Sequence, residues 1–185
     1  MFEMKFIIEI ASEKHSIYEE DICKAREETA KYYGIGISKK KSDFVKSKLS
    51  DGNAIIATDE DGNFAGFQYI KPWEQERFVF NSRLFLNPKY RETDLAQQIH
   101  KKIFELSRTK YPNAKVFVVT ALIEEIKTNL AAGFKPTAFS ELIDDKEWWN
   151  GCQECANYDV LTRNNRQRCL CTGMLYDSNN GILKK

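Results

Sequence analysis

The spacing of apolar residues along the chain predicts a mixture of strands and helices. Residues 4–10 alternate apolar and polar positions, which is typical of a strand with one buried face. The clearest helix is predicted from Asp94 to about Lys110, with one buried stripe. The stripe repeats at i, i+4, i+8 and i+11: Leu95, Ile99, Ile103 and Leu106. Residues 116–120 form a continuous apolar run, which is typical of a strand buried on both faces.

The remaining apolar segments complete the predicted element order. Helices are predicted at 16–33, 42–49 and 124–132, and strands at 54–58, 64–70, 77–86 and 134–140. Ser16 with Glu19 forms a candidate capping box, and Asp94 is a candidate N-cap. The Asp61-Gly62 turn predicts a hairpin. The order β-αα-βββ-α-β-α-β predicts an α+β fold with a mixed, mostly antiparallel sheet of six to seven strands flanked by helices.

Composition and charge narrow the function classes. The chain of 185 residues is expected to form one main domain, residues 1–140, with a Cys-rich C-terminal extension, residues 141–185. Lys and Arg total 28 and Asp and Glu total 27, which excludes a strongly basic nucleic-acid binder. No apolar stretch approaches the roughly 20 residues that a bilayer requires. Charges interrupt the apolar residues of segment 1–10, so no signal peptide is recognised and a cytoplasmic protein with reduced thiols is expected.

The junction between the strand at 77–86 and the helix at 94–110 carries the best functional indication. Its residues are Leu84-Phe85-Leu86-Asn87-Pro88-Lys89-Tyr90-Arg91. A helix N-terminus presents unpaired N–H groups and a partial positive charge, so it can bind a phosphate.

This stretch resembles the coenzyme A loop of the GNAT N-acetyltransferase superfamily. Arg91 matches the first position of that pattern and Ala96 the last. The segment Asn129-Leu130-Ala131-Ala132-Gly133-Phe134 is similar to a family helix that ends in Gly-Phe before a strand. The resemblance covers roughly residues 4–140. The tail, with Trp148-Trp149 and Cys169-Leu170-Cys171, resembles a subgroup associated with bacterial amino-acid metabolism.

The resemblance implies transfer of an acetyl group from acetyl-CoA, the cosubstrate, to the amine of a small, amino-acid-like substrate. Pantetheine would pair with the backbone as an added strand does, and a backbone N–H would stabilise the oxyanion. The residues implied for the cosubstrate are Leu84, Phe85, Leu86, Arg91, Glu92, Thr93, Asp94, Leu95 and Ala96. The candidate catalytic residues are Glu74, Asn81 and Asn129. Asn129 stands where many family members have a tyrosine that protonates the leaving thiolate.

Two acids depart from the family pattern. Glu92 and Asp94 stand where the family has glycines that let backbone amides approach the diphosphate. A like-charge pair at ~5 Å with an effective dielectric of ~20 costs about 3 kcal/mol, roughly a hundredfold in affinity. The alternative hypothesis is therefore a GNAT-fold protein with weakened or lost CoA binding that acts as a binding or regulatory module.

The cysteines of the extension allow three interpretations. Cys152, Cys155, Cys169 and Cys171 form two close pairs. They could hold a structural zinc ion, be reduced thiols in an apolar shell, or form a redox pair.

Partners are suggested by a few further residues. Trp148-Trp149 is expected to pin the extension onto the main body, or else to form a homodimer contact. The extension also has three arginines, Arg163, Arg166 and Arg168, which are too few positive charges to predict nucleic-acid binding. His15 and His100 have no partner spacing and are expected on the surface.

Overall fold

A computed structural model describes residues 4–34, 42–153, 155 and 157–178. The described residues form two compact units. The first contains those up to Ile70 together with Ser82–Leu106, and the second contains Lys71–Asn81 together with those from Ser107 onward. The described residues just before and just after position 140 both belong to the second unit. A domain boundary at 140 therefore remains a prediction from the sequence.

Eight strands and six α-helices are assigned in the described residues. The strands are β1 (Phe6–Ile10), β2 (Ala54–Asp59), β3 (Phe64–Trp73), β4 (Phe78–Asn81), β5 (Phe85–Leu86), β6 (Lys115–Thr120), β7 (Lys135–Thr137) and β8 (Thr172–Tyr176). The helices are α1 (Glu19–Tyr33), α2 (Ser42–Ser50), α3 (Leu95–Lys110), α4 (Ile123–Ala131), α5 (Lys146–Asn150) and α6 (Tyr158–Arg163). No helix of the described segments has the length and apolar character needed to cross a membrane.

The strand order is β1-β2-β3-β4-β6-β8-β7, and β5 pairs with β3. The pairs β1–β2, β2–β3, β3–β5, β6–β8 and β7–β8 are antiparallel, whereas β4–β6 is parallel. The predicted α+β class with a mixed, mostly antiparallel sheet flanked by helices is confirmed. The sheet has eight strands rather than six to seven, because β8 is an additional strand and the segment predicted as one strand at 77–86 forms two, β4 and β5.

The core of the first unit combines β2, β3 and β5 with α1 and α2. The predicted stripe of α3 is confirmed, since Ile99 is fully buried and Leu106 is 7% exposed. Gly66 of β3 allows close packing at this point. A Cβ atom there would lie 2.7 Å from Ile99 Cδ1 and 2.8 Å from Leu86 Cδ2. The glycine therefore lets β3 approach α3, the helix that follows the candidate loop.

The core of the second unit is aromatic. The ring of Trp148 lies 5.3 Å from that of Phe117 on β6 and 5.8 Å from that of Phe80 on β4. Trp149 is 5% exposed, and its indole N–H donates to the Ile143 carbonyl at 2.8 Å. These contacts pack the tryptophan pair against β4 and β6 within the second unit.

Several predicted element boundaries were wrong. The strand predicted at 77–86 is divided into β4 and β5, because Ser82 turns inward: its N–H donates to the Tyr69 carbonyl and its Oγ accepts the Tyr69 N–H. The helix predicted from Ser16 begins instead as a 3₁₀ helix, Glu13–Tyr18, followed by α1. Ser16 Oγ donates to the Glu13 carbonyl, so it does not cap the helix as predicted.

Burial in the first unit generates a stability prediction. Ile22 on α1 is fully buried, so replacing it with alanine leaves a cavity and should lower the free energy of unfolding by about 2–5 kcal/mol. Ile17 is 76% exposed, and Ile17→Ala is the matched control with an expected change below about 0.5 kcal/mol. Urea denaturation followed by circular dichroism measures both. Equal effects of the two substitutions would contradict the assigned core.

Candidate functional site

The loop that precedes α3 is fixed by Asn87 and a single 3₁₀ turn, Pro88–Tyr90. Asn87 Oδ1 accepts the N–H of Lys89 at 3.1 Å, and its Nδ2 donates to the Phe64 carbonyl at 3.2 Å. The Asn87 N–H donates to the Ala65 carbonyl of β3 at 2.9 Å. The loop therefore starts from a rigid point on the sheet of the first unit.

Tyr90 anchors the far end of this turn. Its side chain is 1% exposed, its ring meets Phe6 edge-on at 5.3 Å, and its hydroxyl donates to Asp59 Oδ2 at 2.7 Å. Hydrogen bonds from the Asn63 side chain first, and then from Tyr90, lower the pKa of the Asp59 carboxyl to about 2. The charged carboxylate thus holds the tyrosine, and the tyrosine sets the path of the following residues.

The backbone N–H groups after Tyr90 alternate between bonded and open. Those of Arg91 and Thr93 donate to the carbonyls of Pro88 and Tyr90, and that of Leu95 donates to Thr93 Oγ1. Within the described part of the chain, no acceptor is bonded to the N–H groups of Glu92, Asp94 or Ala96. These are three donors at the start of α3, where the helix dipole also favours an anion.

Charged side chains surround these donors. The Arg91 guanidinium lies 4.4 Å from the centre of the Tyr32 ring. Arg91 Nη2 is buried and has no hydrogen-bond partner among the described residues. Glu92 and Asp94 are exposed. The site therefore combines one positioned cation with two acids that water can screen.

Asp94 caps α3 differently from the prediction. Its carbonyl accepts the Gln98 N–H at 3.1 Å, so the helix does start after Asp94 as expected. Its carboxylate, however, accepts the Gln98 side-chain amide at 2.9 Å, and Thr93 Oγ1 bonds the first helical N–H. Gln98 therefore draws the Asp94 carboxylate along the helix, away from the first helical N–H groups.

The residues predicted to border pantetheine lie before this loop. Leu84 and Phe85 are buried, and Leu86 is half-buried. Phe85 pairs with Phe67 and Leu86 with Gly66 on β3. The guanidinium of Arg26 on α1 lies 5.5 Å from the centre of the Phe85 ring.

A pocket of about 190 Å³ opens beside the loop. It is lined by Asp21, Lys24, Ala25, Glu28, Phe64, Asn87 and Pro88. Two carboxylates against one ammonium do not favour a phosphate, so the open amides of α3 are the better anion site of the first unit.

Glu74 and Asn81, two of the candidate catalytic residues, make intrachain contacts in the second unit. Glu74 has a left-handed backbone, φ 49°, in the β3–β4 turn. Its Oε1 accepts the Asp144 N–H at 3.0 Å and its Oε2 lies 3.3 Å from Arg77 Nη1. Asn81 is 4% exposed, and its Oδ1 accepts the Ser107 hydroxyl at 2.7 Å. These contacts give each side chain a structural role, and a catalytic role remains a prediction.

Asn129, the third candidate, lies on α4. Its side-chain amide donates to the Glu125 carbonyl at 2.7 Å, and its own carbonyl accepts the Phe134 N–H at 3.0 Å. Sequence reasoning missed a polar pair on the preceding turn. Fully buried Thr120, at the end of β6, donates its hydroxyl to the Glu125 carboxylate and accepts the Leu122 N–H. The only sequence signal that could have indicated this pair is the separation of five residues between Thr120 and Glu125.

The four cysteines of the extension do not form a metal site. All four thiols are free and half-buried, and those of Cys152, Cys169 and Cys171 pack against the aromatic cluster of the second unit. In residues 4–34, 42–153, 155 and 157–178, no group of three His, Cys, Asp or Glu side chains is arranged to hold a metal ion. The zinc interpretation is therefore not supported, and the packing matches that of thiols in an apolar shell.

His15 was wrongly expected on the surface. It is 4% exposed, and its Nδ1 accepts the Ser12 N–H at 2.9 Å. Its Nε2 lies 3.0 Å from Glu9 Oε1, and Lys14 Nζ donates to Glu9 Oε2 at 2.8 Å. Hydrogen bonds from Lys14 first, and then from His15, lower the pKa of Glu9.

Comparison with known proteins places this fold. No protein-family model and no curated protein match the sequence. Among solved structures, N-acetylglutamate synthase from Neisseria gonorrhoeae with coenzyme A and N-acetyl-glutamate is similar, at 14% identity and a TM-score of 0.63. The match covers 94% of this chain but only 35% of that one.

Two other neighbours match over most of both chains. A GNAT superfamily phosphinothricin acetyltransferase from Sinorhizobium meliloti with acetyl-CoA has 15% identity and a TM-score of 0.63, covering 98% of this chain and 93% of its own. The protein yncA from Salmonella typhimurium, with its cofactor acetyl-CoA, has 12% identity and a TM-score of 0.60, covering 94% of each chain. At such identities the likeness shows the fold alone, which this chain shares with these structures.

The Tyr90 anchor generates a prediction about acid stability. The depressed pKa of Asp59 stabilises the protein above the ordinary value of 3.8, and this contribution is lost as the pH falls towards about 2. Tyr90→Phe removes one hydrogen bond to the carboxylate. It should raise the pKa of Asp59 and destabilise the protein more at pH 7 than below the folded-state pKa.

Urea denaturation at pH 7 and at a pH below the folded-state pKa of Asp59 measures the effect on stability. NMR titration of the Asp59 carboxyl measures its pKa. Tyr32→Phe is the control, since it also removes a phenol hydroxyl but leaves Asp59 untouched. A Tyr90→Phe effect that does not depend on pH would exclude the proposed coupling.

Burial of Cys152 generates a prediction about thiol reactivity. Burial first, and then the neighbouring Cys155 and Cys169, raises the pKa of the Cys152 thiol from 9.0 to about 11. Since only the thiolate reacts, alkylation of Cys152 at pH 8 should be about a hundredfold slower in the folded protein than in the denatured chain. Mass spectrometry of iodoacetamide-labelled peptides measures the ratio. Equal rates in the two states would show that the thiol is not buried.

Proposed function

We propose that the protein is an N-acetyltransferase that moves an acetyl group from acetyl-CoA to the amine of a small, amino-acid-like substrate. The observation that carries this proposal is the set of open N–H groups at Glu92, Asp94 and Ala96, at the start of α3. Alternating donors on one turn can bind the oxygens of a diphosphate, and they occur here on the GNAT fold.

Cosubstrate binding follows from the residues of the first unit. The open amides would bind the diphosphate, and Arg91, fixed by its stacking on Tyr32, would add a positive charge with an unused N–H group. The backbone of residues 84–86 would pair with pantetheine as an added strand does. The set Leu84, Phe85, Leu86, Arg91, Glu92, Thr93, Asp94, Leu95 and Ala96 is thus the proposed cosubstrate site.

The reaction is the attack of a neutral amine on the thioester carbonyl. A C–N bond forms, the C–S bond breaks, the amine loses a proton, and the coenzyme A thiolate takes one up. Glu74, Asn81 and Asn129 are proposed to handle or orient these protons, although each already makes a hydrogen bond within the chain. We also propose a cytoplasmic location for this activity.

Two observations support the proposed acceptor class. The neighbour from Neisseria gonorrhoeae was crystallised with N-acetyl-glutamate, an acetylated amino acid. The resemblance of the tail to a group associated with amino-acid metabolism points in the same direction. An amino-acid amine is therefore the first acceptor class to assay.

A second candidate function is a GNAT-fold protein with weakened CoA binding, acting as a binding or regulatory module. Glu92 and Asp94 favour it, because their charges lie next to the donors that a diphosphate would use. Both side chains are exposed, however, so water and salt screen them. The combined effect on affinity is expected nearer to tenfold than to the hundredfold of a weakly screened pair.

Titration calorimetry with acetyl-CoA tests both functions. Removing the two charges with Glu92→Gln and Asp94→Asn together should tighten binding by about tenfold at low salt, and less at high salt. Glu105→Gln is the matched control, since Glu105 is an exposed acid further along α3 and should change affinity less than twofold.

The calorimetric outcomes separate the hypotheses. Binding by the natural chain, together with thiol release from acetyl-CoA in the presence of an amino acid, would support the acetyltransferase. Binding that appears only in the charge-neutralised variant would favour the weakened module. No binding at millimolar acetyl-CoA in either protein would refute the proposed cosubstrate site.

A further inference from the structure

The outer edge of β1 carries large apolar side chains in contact with water. β1 is the first strand in the sheet order and pairs with β2 on one side. In the described part of the chain, no strand pairs with its other edge. Ile7 is 54% exposed, Ile10 53% and neighbouring Met4 47%. An exposed apolar edge is a template for another strand, which most proteins block.

The β1–β2 register shows which backbone groups face outward. The Ala11 N–H donates to the Ala54 carbonyl at 2.9 Å, and the same register pairs Glu9 with Ile56 and Ile7 with Thr58. Because bonded residues alternate along an antiparallel ladder, the odd-numbered residues bond to β2. The N–H and C=O groups of the even-numbered residues, Phe6 and Ile8 among them, therefore point away from the sheet.

We propose that a second copy of this chain pairs antiparallel with this edge, with the twofold axis at Ile7. In this register Phe6 of one copy exchanges hydrogen bonds with Ile8 of the other, using only outward groups. The two Ile7 side chains meet as a close, non-bonded pair. Met4 of each copy lies opposite Ile10 of the other, so all three exposed apolar residues become covered.

Charge complementarity selects the second copy and this register. With the axis at Ile7, Lys5 of each copy lies opposite Glu9 of the other, which gives two ion pairs on the Ile7 face. An axis at Ile8 would place Glu9 opposite Ile7 and lose both pairs. The Glu9 side chain is 42% exposed even with Lys14 and His15 bound, so its carboxylate can also reach a lysine of the second copy.

The expected dimer is modest in affinity. A single strand pair with a few apolar contacts lies at the small end of specific interfaces, so we expect a Kd on the order of micromolar. This inference does not depend on the proposed acetyltransferase activity, because none of the β1 residues belongs to the proposed cosubstrate site.

Sedimentation velocity of the full chain from about 1 µM to about 200 µM tests the proposal. The natural chain should shift reversibly towards twice its mass of 21.5 kDa as concentration rises. Lys5→Glu and Glu9→Lys alone each place like charges opposite one another and should raise the Kd about tenfold or more. An equimolar mixture of the two variants restores both opposite-charge pairs and should form heterodimers with a Kd near that of the natural chain.

A backbone variant tests the same edge independently of charge. Ile8→Pro removes an outward N–H but no bond to β2, so it should abolish dimerisation while leaving the fold intact. Ile17→Lys is the control, since Ile17 is 76% exposed but lies outside β1, and it should leave the Kd unchanged. Circular dichroism verifies folding of each variant.

The outcomes decide the proposal. Dimers that are weakened by the single charge variants and recovered in their mixture support it, even if the proline variant misfolds. A natural chain that remains monomeric at the highest concentration refutes it, and would leave the edge for another protein. A dimer that responds to Lys5→Glu no more than to Ile17→Lys refutes this surface.

Discussion

The hydrogen bond from the Tyr90 hydroxyl to the Asp59 carboxylate is the interaction on which the candidate site depends. It joins the 3₁₀ turn before α3 to the end of β2 at 2.7 Å, within the first unit. The carboxylate has other donors in Asn63, which contribute more than the tyrosine to its lowered pKa. A buried tyrosine with a charged acceptor leaves the following turn little freedom, and the alternating amides of residues 91–96 are a consequence.

The two acids at the start of α3 show how local context changes the meaning of a residue. In the sequence, the two acids Glu92 and Asp94 suggest a blocked phosphate site. In the structure, Gln98 draws the Asp94 carboxylate along the helix, while the Asp94 N–H remains open. Because the side chains are exposed, their charge lowers the affinity for an anion without occupying the donors.

Outside the candidate site, the same physical principle applies to the outer edge of β1. Backbone donors and acceptors that no partner satisfies indicate where another molecule can bind. At α3 the open groups are donors only, which suits an anion. Along β1, between Lys5 and Glu9, outward backbone N–H donors and C=O acceptors alternate. This arrangement suits pairing with an antiparallel strand.

The sequence by itself determined the elements whose pattern is local. The stripe of α3 and the antiparallel β2–β3 hairpin follow from residue periodicity and turn chemistry, because each involves neighbours along the chain. The candidate site was predicted from the same kind of local pattern, a strand that leads through a proline turn into a helix. The anchor of that turn was not found, because Tyr90 and Asp59 are 31 residues apart and share no spacing rule.

Only the tertiary structure decided the features that depend on distant partners. β8 lies between β6 and β7 because Thr172–Tyr176 pairs with both, and its short, Gly-containing segment has no periodicity that indicates a strand. His15 is buried because Glu9 and Ser12 provide its partners, and Ser82 divides a predicted strand by bonding to Tyr69. The cysteines look like a zinc motif by spacing, yet all four are free thiols, and Cys152, Cys169 and Cys171 pack against the aromatic cluster. Spacing along a chain constrains only near neighbours, whereas burial and hydrogen-bond partners are set by the whole fold.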